Sequence, residues 1–166
     1  MGVGGPPTER RGESLARGAA SQMVSSMTSA FEGLGTWRDV CGIGQRFQSS
    51  PSAELALTVD SVDDMARLGV KTIYHQAAQD DTRADGLLAD RTMVSALLRR
   101  AHRRHVEVVA WYLPHFADVD RDLRYVRALA GYASHGQRFD GIALDIEWTN
   151  DVPDPVARNR ALIDLA

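Results

Sequence analysis

The sequence has a single cysteine and a single lysine, and it contains no long apolar run. Cys41 has no second cysteine with which to form an intramolecular disulfide or a paired-cysteine metal site. The N-terminal stretch lacks the roughly 7 to 15 apolar residues of a signal peptide, and no run approaches the about 18 apolar residues of a membrane span. A cytoplasmic location is therefore the default expectation, and the compartment stays open.

Excess positive charge is also absent. The chain has 19 basic and 22 acidic residues, which gives a net charge of -3. Nucleic acids and anionic membranes require a basic surface, so we expect neither as a partner. The 166 residues are 44% hydrophobic and 25% charged, which is the ordinary globular range and favours one compact core.

Two regions differ in composition. Residues 1–35 are rich in Gly, Ser, Arg and Ala and have no sustained apolar period, which is typical of a flexible tail. The folded part is expected over 36–166. A first short strand is expected at 40–43, although two glycines weaken that pattern.

Apolar runs rich in β-branched and aromatic residues predict strands at 70–76, 106–114 and 139–148. Helical spacing of apolar residues predicts a helix after each of these strands. The last of these helices has Pro155 in its first turn, behind an Asp cap. These elements alternate regularly along the chain.

Residues typical of helix N-termini indicate where three of the helices begin. Asp90 and Asp154 are positioned as N-caps of the helices that follow them. An earlier helix starts either near Pro51 or at Ser61, and Gly69 is positioned to end it. Basic residues crowd the end of the helix that Asp90 opens, at 99–104. We interpret that cluster as structural, because cations at a helix C-terminus gain about 0.3 to 1 kcal/mol each.

The alternation of strands and helices predicts an α/β fold with a parallel sheet and right-handed crossovers. The strands are apolar on both faces, as buried parallel strands are. We expect a partial (β/α)8 TIM barrel made of about the first four βα units, since a whole barrel takes about 250 residues. The chain is therefore expected to be the N-terminal half of a truncated barrel; assembly of two copies and a smaller open sheet are the alternatives.

The run FDGIALDIEW at 139–148 places acids near the end of an apolar strand. Alternation puts Asp145 and Glu147 on the same face as the small residues Gly141 and Ala143. Active sites of parallel α/β proteins lie at the carboxyl ends of strands. Two carboxylates about 6 or 7 Å apart, two residues along a strand, can take different pKa values, as glycosidic bond cleavage requires. Pairing with arginines or capping of the next helix is the alternative.

Neighbouring strands supply candidate substrate contacts. Gln76 is expected at the mouth, and His115 on the loop above it. In the third strand, either Val109 and Trp111 or Ala110 and Tyr112 point inward, and the sequence analysis favours the pair that ends in Tyr112. Tyr112 and Trp148 are the aromatic side chains expected to stack on sugar rings.

A metal site is an alternative use of the histidines and acids. His75 lies on the opposite face of its strand from Gln76, so His115 and two acids remain, and we expect no metal and no cofactor.

The segment DGIALDIE, residues 140–147, resembles the D-G-x-D-x-D-x-E motif on the fourth strand of glycoside hydrolase family 18 chitinases. Ala143 stands where that family has its first inward Asp, and the Ser-x-Gly-Gly pattern of its third strand is absent. The LDIE core is also similar to the Asp-x-Glu strand of family 25 lysozymes. Over about 50–160 the chain is most similar to uncharacterised bacterial proteins with glycosidase-like barrels.

This resemblance implies that Glu147 is the general acid and that Asp145 stabilises the positive charge or orients a substrate amide. Asp140 is implied to be structural. The resulting hypothesis is hydrolysis of O-glycosidic bonds by a barrel with a carbohydrate substrate. A barrel that binds carbohydrate or another small molecule without cleaving it is the alternative, and a metal-assisted hydrolase is the third.

Overall fold

A computed structural model of the chain describes residues 1, 30–38, 58–80 and 86–166. Within these residues, strands and helices alternate in chain order. They are β1 (Leu34–Arg38), α1 (Ser61–Arg67), β2 (Val70–Gln76), α2 (Arg91–Arg103), β3 (Glu107–Tyr112), α3 (Val119–Gly131), β4 (Gly141–Leu144) and α4 (Pro155–Leu165). Among the described helices, none combines the length and apolar character that crossing a bilayer requires.

The four strands form one parallel sheet in the order β1-β2-β3-β4. Each strand therefore pairs with the strand that precedes it in the chain. The predicted α/β class and the parallel sheet are confirmed. A parallel pair needs a crossover, and α1, α2 and α3 supply the crossovers between successive strands.

One hydrophobic core lies between the sheet and the first three helices. It joins one face of the strands to α1, α2 and α3 through the buried side chains of Ile73, Val108, Ala110, Tyr112, Val62, Leu97, Leu98 and Leu129. Right-handed crossovers that always step to the next strand in the same direction place their helices on the same face. Truncating a fully buried leucine such as Leu98 in this layer costs about 2 to 5 kcal/mol.

Aspartates cap three of the helices. Asp90, Asp118 and Asp154 each accept a hydrogen bond from a backbone N–H two or three residues further on. A cap of this kind is worth about 1 kcal/mol, because it satisfies a donor that the helix itself leaves open. The predicted caps at Asp90 and Asp154 are confirmed, and α4 carries Pro155 in its first turn as expected.

β1 begins at Leu34, so the boundary expected at residue 35 falls inside a strand. Ala30 is buried, and its carbonyl accepts a hydrogen bond from the Thr72 hydroxyl at 2.8 Å. The strand expected at 40–43 and the helix start expected near residue 51 lie outside the described residues, whereas the alternative start at Ser61 matches α1.

Candidate functional site

The register of the strands defines a second face of the sheet, turned away from α1, α2 and α3, which we call the far face. Gln76 pairs with Trp111, and Trp111 pairs with Ala143, so these three side chains share that face. Gln76 is at the carboxyl end of β2, where the sequence placed it, and it is almost fully buried. The far face thus runs from Gln76 across Trp111 toward the end of β4.

Tyr112 lies on the other side of the sheet, so the expectation that it points inward with Ala110 is wrong. Its ring stacks on Tyr125 with 4.9 Å between centroids, and its hydroxyl donates a hydrogen bond to Asp122 Oδ1 at 2.6 Å. Burial and the Asp122 carboxylate raise the pKa of Tyr112 well above its usual range. With 0% of its surface exposed, Tyr112 is a core residue.

The two acids lie just past the end of β4. The strand stops at Leu144, but the Asp145 N–H donates to the Tyr112 carbonyl at 2.9 Å and so continues the ladder by one bond. Asp145 Oδ1 accepts a hydrogen bond from the Glu147 N–H at 3.3 Å, and Glu147 is exposed. Because the strand ends earlier than predicted, alternation no longer places Glu147 on a face. Neither acid forms an ion pair with a described residue.

Two predicted contact residues meet at this edge. The His115 ring, on the loop after β3, stacks on Trp148 with 4.9 Å between centroids and 13° between planes. Asp151 links them, because its Oδ2 lies 3.1 Å from His115 Nδ1 and accepts a hydrogen bond from Trp148 Nε1 at 3.0 Å. The sequence analysis missed Asp151, which lies in a polar loop without a spacing signal.

Asp80, which follows β2, adds another carboxylate at this edge. Only 7% of its side chain is exposed. Its carboxylate pairs with the Arg121 guanidinium and accepts a hydrogen bond from the Tyr125 hydroxyl at 3.3 Å. His115 Nδ1 lies 4.0 Å from the same carboxylate. Polar side chains that follow β2, β3 and β4 therefore form one connected cluster at the carboxyl edge of the sheet.

Asp122 fixes the loop that carries His115. Besides the Tyr112 hydroxyl, its carboxylate accepts the backbone N–H of Phe116 at 2.9 Å and that of His115 at 3.3 Å. Phe116 has φ 63°, in the left-handed region that costs a non-glycine residue about 1 to 2 kcal/mol. The buried carboxylate holds this strained turn in place.

The amino end of β4 is also built around an acid. Asp140 Oδ2 accepts the Val108 N–H at 2.7 Å and lies 2.9 Å from His102 Nε2, while His102 Nδ1 is hydrogen-bonded to Gln137 Oε1. Both ring nitrogens thus meet acceptors, and the Asp140 hydrogen bond raises the pKa of His102. These contacts agree with the structural role that the chitinase resemblance implies for Asp140.

The remaining metal candidates do not converge. His75 is on the helix side of β2, as its position in the strand indicated, and its Nδ1 lies 3.1 Å from an Arg38 guanidinium nitrogen. Burial lowers the pKa of His75 to about 3. Among the described residues, no three His, Cys, Asp or Glu side chains are arranged to hold a metal ion. Cys41 lies outside the described residues.

Comparison of the chain with protein-family models, with curated proteins and with solved structures finds no significant match. The fold therefore defines the class, an α/β protein with a sequentially ordered parallel sheet and a polar carboxyl edge.

Proposed function

We propose that the chain forms the first four βα units of a (β/α)8 barrel and that the carboxyl end of β4 is a glycoside hydrolase site. In this proposal Glu147 is the general acid, and Asp145 stabilises the positive charge that develops on the sugar ring. Barrels of this kind carry their active sites at the carboxyl ends of the strands.

Two features of the sheet support the barrel. Doubly wound sheets reverse their strand order at a switch point and carry helices on both faces. Here the order is β1-β2-β3-β4 without a reversal, and the core formed with α1, α2 and α3 lies on one face. A barrel requires both of these features, since each strand lies beside its predecessor and every helix lies outside.

One observation carries the assignment of the acids. Asp145 and Glu147 follow the carboxyl end of β4 without an ion pair to any described residue, and Trp148 comes next in the chain. A carboxyl group already paired with arginine would resist protonation, because the cation favours the ionised form. A general acid must donate and regain a proton in each cycle, and the absence of an arginine partner leaves Glu147 able to do so.

The neighbouring residues suit a sugar. Trp148 offers a half-buried aromatic ring with one face against His115, and sugar rings pack on aromatic faces. His115 has Nδ1 beside Asp151, which directs its other ring nitrogen to a substrate hydroxyl. Gln76 keeps its proposed place on the far face as a contact deeper in the site.

The test compares Glu147→Gln with Glu32→Gln, the same change at an exposed residue that precedes β1. Both variants are made in the gene product that carries the strands needed to complete the barrel, and are assayed on a panel of aryl glycosides and polysaccharides. Loss of a general acid lowers kcat/KM by about 100- to 10,000-fold, whereas Glu32→Gln stays within about twofold. Undiminished activity of the Glu147→Gln protein would remove that residue from the mechanism.

A barrel that binds carbohydrate without cleaving it is the second candidate. Two observations favour this non-cleaving barrel. Ala143 stands where the chitinases that the sequence resembles have an inward carboxylate. One carboxylate oxygen of Asp145 already accepts a hydrogen bond from the Glu147 N–H. This function predicts saturable binding of an oligosaccharide that survives replacement of both acids. Calorimetric titration of the Asp145→Asn, Glu147→Gln double variant separates the two candidates.

A further inference from the structure

A groove runs along the outer side of α2, between that helix and residues 132–137. Three side-chain hydrogen bonds hold the segment beside the helix: Tyr132 to Arg91, Ser134 to Ser95 and Gln137 to His102. Three adjoining depressions make up the groove, and neighbouring depressions share lining residues. The first has a volume of about 500 Å³, within the range of ligand sites.

The charge of this groove is of one sign. The arginines and histidines among its described lining residues are Arg91, Arg99, Arg103, Arg127, His102 and His135. No aspartate or glutamate is among the described residues that line it, although the chain as a whole has a net charge of -3. The groove is thus a local basic surface on an acidic protein.

The basic residues at the end of α2 divide into two groups. Arg100 and Arg104 both bind Asp63, at 2.6 and 2.9 Å, and their hydrogen bonds lower the pKa of Asp63 to about 2. Arg99 and Arg103 line the groove, and neither forms an ion pair with a described carboxylate. Arg100 and Arg104 therefore have a structural partner in Asp63, whereas Arg99 and Arg103 have no carboxylate partner among the described residues.

Helix stability accounts for only one of the groove arginines of α2: Arg103, in the last turn, is at the favourable end of the macrodipole. Arg91 is the first residue of α2, and a cation at a helix N-terminus is at the unfavourable end of the macrodipole. Arg99 and Arg103 are four residues apart, where like charges repel on a helix. Arg91, Ser95, Arg99 and Arg103 recur at every fourth position, so they form one stripe facing the groove.

The lining also limits the kind of anion. Proteins that bind single-stranded nucleic acid without sequence preference stack its bases on aromatic rings. The one described aromatic ring of the groove is Tyr132, which is 4% exposed and lies under the Arg91 guanidinium. The Arg91 end of the groove is apolar as well as basic, since Leu87 is 41% exposed there beside Ala128.

We propose that this groove binds an acidic peptide segment of a partner protein, with an apolar side chain against Leu87 and carboxylates along Arg91, Arg99 and Arg103. The twelve-residue rise from Arg91 to Arg103 spans about 18 Å, which an extended peptide covers with about five or six residues. Asp145 and Glu147 are not part of the groove, so the proposal is independent of the hydrolase activity.

The test uses a fluorescein-labelled peptide of one leucine followed by alternating glutamate and serine, titrated with the full chain and followed by anisotropy. The Arg99→Gln, Arg103→Gln double variant is expected to bind about tenfold more weakly. The Arg124→Gln, Arg160→Gln variant, with the same loss of charge at exposed residues outside the groove, is expected to stay within about twofold of the unmodified protein. The Glu147→Gln protein is expected to bind normally.

Other results overturn the proposal. Equal weakening by the two double variants would mean a diffuse charge effect with no site. Tighter binding of an oligothymidylate or a sulfated glycan than of the peptide would assign the groove to that polymer. Absence of saturable peptide binding at low salt, where charge attraction is least screened, would leave the groove without the proposed partner.

Discussion

The acids that flank the two ends of β4 differ in their contacts. At the amino end, Asp140 Oδ2 contacts both the Val108 N–H and the His102 ring. At the carboxyl end, Asp145 has one contact with the neighbouring backbone and Glu147 is exposed to solvent. The acid at the amino end is thus held by neighbouring residues, whereas the acids at the carboxyl end have few contacts with described residues.

At the carboxyl edge, Asp122 differs from Asp145 and Glu147 because it is buried and hydrogen-bonded. Its substitution is expected to give the largest change in stability. In Asp122→Asn an amide nitrogen replaces one carboxylate oxygen, so a buried donor such as the Phe116 N–H loses its acceptor. We expect the free energy of unfolding to fall by about 2 kcal/mol, measured by urea denaturation.

Asp120→Asn is the matched control, since Asp120 is exposed in the same helix turn. Its cost is expected to be about 0.5 kcal/mol, from the helix dipole alone. If the two variants lose equal stability, the buried carboxylate does not hold the loop that carries His115.

Asp140→Asn is expected to have an intermediate effect, about 1 kcal/mol once solvent screening of the half-buried pair is allowed for. The folded pKa of His102 is raised above 6.5, so its pairing with Asp140 stabilises the fold fully below about pH 6.5. That contribution is lost as pH rises through the folded pKa.

The stability deficit of the Asp140→Asn protein should therefore be larger near about pH 5.5 than near about pH 9. Chemical denaturation at both pH values measures it, with Asp164→Asn on the exposed side of α4 as the control. A deficit that grows with pH would show that His102 is neutral in the folded protein.

Asp151→Ala should give the smallest change. The Asp151 side chain is 39% exposed, and exposed ion pairs contribute about 0 to 1 kcal/mol. We expect a loss of stability under about 0.5 kcal/mol, together with a shifted NMR signal of the Trp148 indole N–H, which loses its acceptor. The Trp148→Phe protein assigns that signal, and an unmoved signal would mean that Asp151 does not orient the indole.

Much of the scaffold follows from local patterns. β2 has the bounds that its β-branched run predicted, and α2 and α4 begin behind the aspartates predicted as caps. These signals are strong because a cap and an apolar period act within a few residues. β1 gave no such signal, since a five-residue strand of sequence LGTWR contains a glycine and little apolar alternation.

The orientation of side chains was harder to predict. Alternation chooses a face only when one face is polar, and in β3 both Trp111 and Tyr112 are buried. Apolar spacing is also a limited guide in α3, where Ala130 continues the spacing of Val119, Leu123 and Val126 but is exposed. Asp122 is buried instead, because three donors from outside its helix need its carboxylate.

The strand order also determines how strongly each backbone amide is protected from hydrogen–deuterium exchange. β2 and β3 have ladder partners on both sides, whereas β4 has one in the described sheet. Amides of the central strands should exchange only through global opening, and those next to Asp145 through a smaller, local one. A ligand bound at that edge would therefore slow hydrogen–deuterium exchange in β4, so its binding could be detected before the ligand is identified.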